Sequence, residues 1–161
     1  MRPFHVGPHI ILLCGVAWIW VYALVQYHFK QNEANGPKSF PTMALSAFKT
    51  YVYDPLVGER DFRLVTLQHG TDQDPISLTI SHSPLDRSPI YEALSCVWGP
   101  QNPSQTIRCN DGTLEIGENL AAALLCLRKP ATSRLLWIDR VAINQGDTKE
   151  RTRQVGLMAD I

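Results

Sequence analysis

The chain carries no excess of charge of either sign. Its 161 residues set 15 lysines and arginines against 15 aspartates and glutamates, a formal net charge of zero at pH 7. That balance leaves no basic footprint for nucleic acid, so a nucleic-acid partner is not expected. Cysteine is sparse as well. Cys14, Cys96, Cys109 and Cys126 are widely separated and form no Cys-x-x-Cys pair, which argues against zinc and against a disulfide framework. Cys96, Cys109 and Cys126 lie in apolar segments and are expected to be buried thiols in a reducing compartment. The five histidines (His5, His9, His28, His69 and His82) are scattered, so none is assigned a metal. A phosphate-cradling glycine loop is missing too, because Gly99-Pro100 stands alone and Gly146 is isolated. These residues call for no cofactor.

What is present begins with an uncharged apolar run from Ile10 to Tyr27, behind a short tail over 1–9. As a helix this run spans roughly 27 Å, the thickness of a thin hydrocarbon core. Residues 10–28 are therefore expected to form a transmembrane or signal-anchor helix. A cleaved signal peptide is the competing reading, but Gln26-Tyr27-His28-Phe29-Lys30 provides no small-x-small cleavage site. Tyr22 and Tyr27 suit a membrane interface, whereas Trp18 and Trp20 fall mid-span. Lys30 and Lys38 against Arg2 place the following domain on the cytoplasmic side. Without an anchor the domain is expected in the cytoplasm. Residues 29–50 read as a linker, polar and broken by Gly36, Pro37 and Pro41, with a short helix over 42–49.

The folded domain is expected over 51–161. Phe62 to Leu67 reads as a strand, and Ile76 to Ser81 alternates apolar and polar residues as a half-buried strand does. Tyr91 to Trp98 is a third strand. Asp111-Gly112 reads as a two-residue hairpin turn. That register pairs Cys109 with Leu114, Ile107 with Ile116, and Arg108 with Glu115 as an ion pair. Glu118 to Lys129 is an amphipathic helix stopped by Pro130, with Leu120, Leu124 and Leu127 on one stripe. Thr148 to Ile161 reads as a last helix with Val155 and Met158 on its inner face. It reaches the final residue with no stop signal, which suggests a domain truncated at the C-terminus.

One stretch concentrates the chemistry. Leu135 to Ile138 is continuously apolar, as a strand covered on both faces should be. Asp139 ends it, and a carboxylate just past the carboxyl end of a buried strand sits where open α/β sheets keep their ligand crevices. Asn144 and Gln145 follow in a loop. Asp147 with Glu150 three residues later reads as a capping-box helix start. Two readings stand side by side. Asp139 or Glu150 is a catalytic carboxylate, or Asp139 ties down the loop while Asn144 and Gln145 satisfy turn backbone.

Taken together, several separated motifs resemble one family. Tyr91-Glu92-Ala93-Leu94-Ser95-Cys96-Val97-Trp98-Gly99 comes first, then Asn119-Leu120, Ala123-Leu124 and Leu127-Arg128. Trp137-Ile138-Asp139, Ile143-Asn144-Gln145, Asp147, Glu150-Arg151, Gln154-Val155 and Met158 follow. In this order they resemble the fungal heterokaryon incompatibility (HET) domain, from about Tyr51 to Ile161. Tyr53-Asp54-Pro55-Leu56 and the Phe62 strand are similar to the family's opening. Two positions depart from the pattern: Cys96 stands where the family usually has tyrosine, and Ala142 where it usually has cysteine.

The resemblance implies an α/β fold with a flavodoxin/TIR-like, partly parallel sheet and a β-hairpin insertion. It implies a signalling and interaction module of non-self recognition that triggers cell death, with other incompatibility or signalling proteins, or a second copy, as partners. The motif or crevice residues would be Trp98, Gly99, Trp137, Asp139, Asn144, Gln145, Asp147, Glu150, Arg151 and Gln154. Some TIR domains cleave NAD, so the alternatives are an NAD-cleaving enzyme, with Trp98 stacking on a base, or an inactive truncated fragment. Fold analogy does not transfer the activity.

Overall fold

The structure, a computed structural model, describes residues 48–94 and 104–161. The candidate anchor over 10–28 and nearly all of the linker lie outside the described residues, as do Cys96, Trp98 and Gly99. Among the described residues no helix is long and apolar enough to cross a membrane.

The domain is a mixed α/β unit with six strands in one sheet, ordered β3-β6-β1-β2-β4-β5. The strands are β1 (Asp61–Leu67), β2 (Ser77–Pro84), β3 (Glu92–Leu94), β4 (Ser104–Cys109), β5 (Gly112–Gly117) and β6 (Arg134–Ile138). Strand β1 runs antiparallel to both of its neighbours, β2 and β6, while β3–β6 and β2–β4 are parallel. The sheet is thus partly parallel, as expected. Its helices are α1 (Glu118–Leu127), a single turn α2 (Asp139–Ala142) and α3 (Thr148–Leu157). Helix α1 packs on β4 and β5, and α2 packs on β1 and β6.

Local sequence accounts for most of these elements. In β2, Leu78 and Ile80 are buried while Thr79 and Ser81 face water, the expected alternation. Strand β1 is buried on both faces. Phe62 and Leu64 share one face, with Phe62 against the Tyr91 ring at 5.6 Å, and Arg63 and Val65 share the other. In α1, Leu120 and Leu124 are buried on the predicted stripe, and the helix stops at Leu127, two residues before the predicted end. Arg128 is already extended there, ahead of the Lys129-Pro130 step that disfavours helix.

Three expectations are corrected. The hairpin turns at Asn110-Asp111, so Cys109 pairs with Gly112, Ile107 with Leu114, and Arg108 with Thr113. Asn110 takes the positive φ of 49°, and the amide of its side chain clamps β2 by accepting from Ile80 N at 2.7 Å and donating to Ile80 O at 3.2 Å. Gly112 has no room for a side chain, because a Cβ there would lie 2.6 Å from Lys49 O. Moving the register by two residues keeps Ile107, Cys109, Leu114 and Ile116 on their face but removes Glu115 from its place opposite Arg108.

Helix α3 ends at Leu157, and its inner face is polar. Glu150 and Gln154 are buried there, whereas Val155 and Met158 are 56% and 45% exposed. Burial of the Arg63 guanidinium on β1 requires an anion, which turns Glu150 inward and the apolar residues out. Of the cysteines among the described residues, Cys109 is buried but Cys126 is exposed; both are free thiols. Asp139 stands just past the end of β6, as expected, and there opens the helical turn α2 ahead of the loop.

Candidate functional site

The site is assembled where β6 hands over to α2 and α3. Trp137 is 5% exposed and Ile138 fully buried, so the strand plunges into the core and releases the chain at Asp139. Asp139 Oδ1 accepts the Arg140 N–H at 2.6 Å, and its carbonyl accepts both Ile143 N at 3.3 Å and Gln145 Nε2 at 3.1 Å. The Gln145 side-chain amide is therefore tied to the Asp139 main chain. Asn144 folds its side chain back on the loop: Oδ1 accepts from Gly146 N at 3.1 Å. Its carbonyl receives Asp147 N at 3.1 Å. These are local ties of the Asx-turn kind.

Asp147 caps α3 as expected, its Oδ1 accepting Lys149 N at 2.9 Å and Glu150 N at 3.1 Å. The reciprocal half of the capping box is redirected. Glu150 Oε1 accepts Asn144 N at 2.7 Å and so ties the helix to the loop.

That same carboxylate meets Arg63, the residue that sequence reasoning missed. Arg63 is fully buried; Nη1 lies 2.6 Å from Glu150 Oε1 and Nη2 lies 3.0 Å from Oε2. The pair is bidentate, the strong geometry for guanidinium and carboxylate. Nη1 also donates to Ala142 O at 3.1 Å and Nη2 to Asp54 O at 2.6 Å. Tyr53 lies with its ring 5.1 Å from the guanidinium carbon and donates its hydroxyl to Val141 O at 3.0 Å. A signal did exist in the sequence. An arginine enclosed by Phe62, Leu64 and Val65 has no wet face to occupy, and a cation in such a strand demands an acid elsewhere.

The electrostatics follow the geometry. Burial by itself would raise the Glu150 carboxyl, but the Arg63 hydrogen bonds, the Asn144 N–H and the Arg63 charge outweigh it and hold the group below its ordinary range. Burial pushes the Tyr53 hydroxyl up to about 12, so it stays a neutral donor to Val141.

Of the remaining predicted residues, Gln154 is 1% exposed and donates Nε2 to Asp61 O at 2.8 Å. Arg151 is exposed. Trp98 and Gly99 lie outside the described residues. Ala142, where the family pattern has cysteine, is 1% exposed and serves Arg63 through its carbonyl, which any residue provides. Three buried polar atoms of the residues described here have no hydrogen-bond partner among the described residues: Arg63 Nε, Trp137 Nε1 and Gln154 Oε1. No cluster of three or more histidine, cysteine or acidic residues fit to hold a metal occurs among the described residues.

The arrangement is a single knot of charge and amide groups. Strand β1, the turn α2, the 143–147 loop and α3 all end on Arg63 or Glu150. Both Glu150 oxygens are engaged by Arg63, and one of them also takes the Asn144 N–H.

The family model described as Heterokaryon incompatibility protein (HET) matches residues 91–161, which contain β6, α2, the loop and α3. The chain is similar to Heterokaryon incompatibility protein 6, OR allele, of Neurospora crassa. The two are 36% identical over 101 residues, covering 55% of this chain and 15% of that protein. The chain thus matches only a small part of that relative's length. No solved structure matches.

Proposed function

We infer that this chain, whose residues 91–161 match the heterokaryon incompatibility (HET) family model, acts in fungal non-self recognition as a signalling and interaction module that triggers cell death. The observation that carries the reading is how the motif is used. Asp139, Asn144, Gln145, Asp147, Glu150 and Gln154 all make ties within the domain: the first five fix the loop between β6 and α3, and Gln154 ties α3 to β1. Such a unit presents a rigid surface to a partner, either another incompatibility or signalling protein or a second copy of the chain. The uncharged run over 10–28 supports a membrane anchor, with the domain on the cytoplasmic side. A TIR-type relationship of the sheet draws support from the parallel β3–β6 pair with an acid at its carboxyl edge.

Induced expression of the whole chain in a fungal cell, scored by viability, tests this reading. Killing is expected from the natural sequence. It should persist in Asp139→Asn, whose side-chain oxygen still accepts the Arg140 N–H, and vanish in Arg63→Met, which unties the loop. Killing lost in Asp139→Asn with the fold intact would overturn the reading and point to chemistry at that carboxylate.

A further inference from the structure

The segment just ahead of β1 is bound to the domain at successive stations. Arg108 lies over the Phe48 ring at 4.7 Å. Thr113 N donates to Lys49 O at 2.9 Å, and Tyr51 N donates to Thr113 O at 2.7 Å, so residues 49–51 add a short parallel bridge to the outer edge of β5. Tyr51 then packs edge-on against Tyr53 at 5.0 Å between ring centres. Tyr53 reaches Val141 O, and Asp54 O takes the Arg63 Nη2 proton. The segment therefore starts at a sheet edge and finishes inside the charged knot.

We propose that residues 49–54 form a strap whose docking on the β5 edge sets the state of the loop between β6 and α3. A displacement of the chain N-terminal to the domain would then be felt at the family motif. The coupling route is short. Removing the strap strips Arg63 of the Asp54 acceptor and of the Tyr53 ring, which admits water to the guanidinium. Arg63 Nη1 shares Glu150 Oε1 with the Asn144 N–H, so a slackened Arg63–Glu150 pair loosens the hold on Asn144. Val141 simultaneously loses the bond from Tyr53, at the turn that leads into the loop. Val52, 79% exposed between the two docked tyrosines, leaves the strap open to capture from outside. The proposal is independent of the cell-death reading, because its test reads the molecule directly.

Gly112 supplies the lever. A side chain there would lie 2.6 Å from Lys49 O and 3.0 Å from Tyr51 N, both backbone atoms that no rotamer change can move aside. Valine is otherwise well suited to a strand. Native-state hydrogen exchange on the whole chain, with and without Gly112→Val, is the experiment. Exchange should quicken about tenfold at the Tyr51 amide and about threefold or more at Asn144, while the β1–β2 amides around Thr66 and Thr79 stay protected. A freed Tyr51 amide with an unchanged Asn144 amide would overturn the coupling. A Tyr51 amide as protected as before would overturn the docking. Should Gly112→Val fail to fold, Tyr53→Phe decides alone, since it adds no atoms and removes only the bond to Val141. Faster exchange over 139–147 is then expected, and unaltered exchange there refutes the strap.

Discussion

At the scale of single residues, Arg63 and Glu150 explain most of what the motif does. Neither would be stable alone in its place, because an uncompensated buried charge costs about 3–5 kcal/mol when its partner is removed. The Glu150 carboxyl stays ionised in the fold below its ordinary value of 4.5, so on acidification the unfolded chain takes up that proton first. The pair's contribution is therefore complete near neutrality and drains away as pH falls below about 4.5. Urea midpoints measured from pH 7 downward should show a gap between the natural protein and Glu150→Gln that closes across that acid window. A gap independent of pH would contradict the assignment.

Thiol chemistry separates two other residues. Burial pushes the Cys109 thiol up to about 12. Alkylation of the folded protein at pH 8, followed by peptide mapping, should modify exposed Cys126 and spare Cys109 until the chain unfolds. The expectation that both are buried failed because Cys126 lies in an apolar stretch of sequence but on the outer side of α1.

Elements were legible to the extent that their signals are local. The alternation in β2, the leucine stripe of α1 and the Asp147 cap each follow from a few neighbouring side chains, and each stands where expected. Asp147→Ala should cost about 1 kcal/mol, read by urea unfolding. What was not legible depends on distant partners. The hairpin register is decided by Asn110 reaching across to Ile80 and by Lys49 lying over Gly112, neither visible from the turn residues. The orientation of α3 is decided by an arginine far away on β1, so the apolar residues of the helix misled. Val155→Ser should consequently change stability by no more than about 0.5 kcal/mol, as at other exposed surface positions. A loss of about 2 kcal/mol or more would place that valine in a core after all.

For the molecule as a whole, the fold and the motif are one construction. Strand β1 carries Arg63 to the centre of the domain, α3 brings Glu150 to it, and the turn after β6 closes around both. Sequence reading located the buried Trp137 and the acid and amides beyond it, because an apolar run ending in a carboxylate is a local pattern. It left out the cation that organises them, since the Arg63–Glu150 contact joins positions far apart in the chain. The measurement closest to this account is a double-mutant cycle with Arg63→Met, Glu150→Gln and the two combined, followed by equilibrium unfolding at pH 7. Each single change should be strongly destabilising, and the double should cost less than their sum by about 2–3 kcal/mol. Strict additivity of the two changes would contradict it.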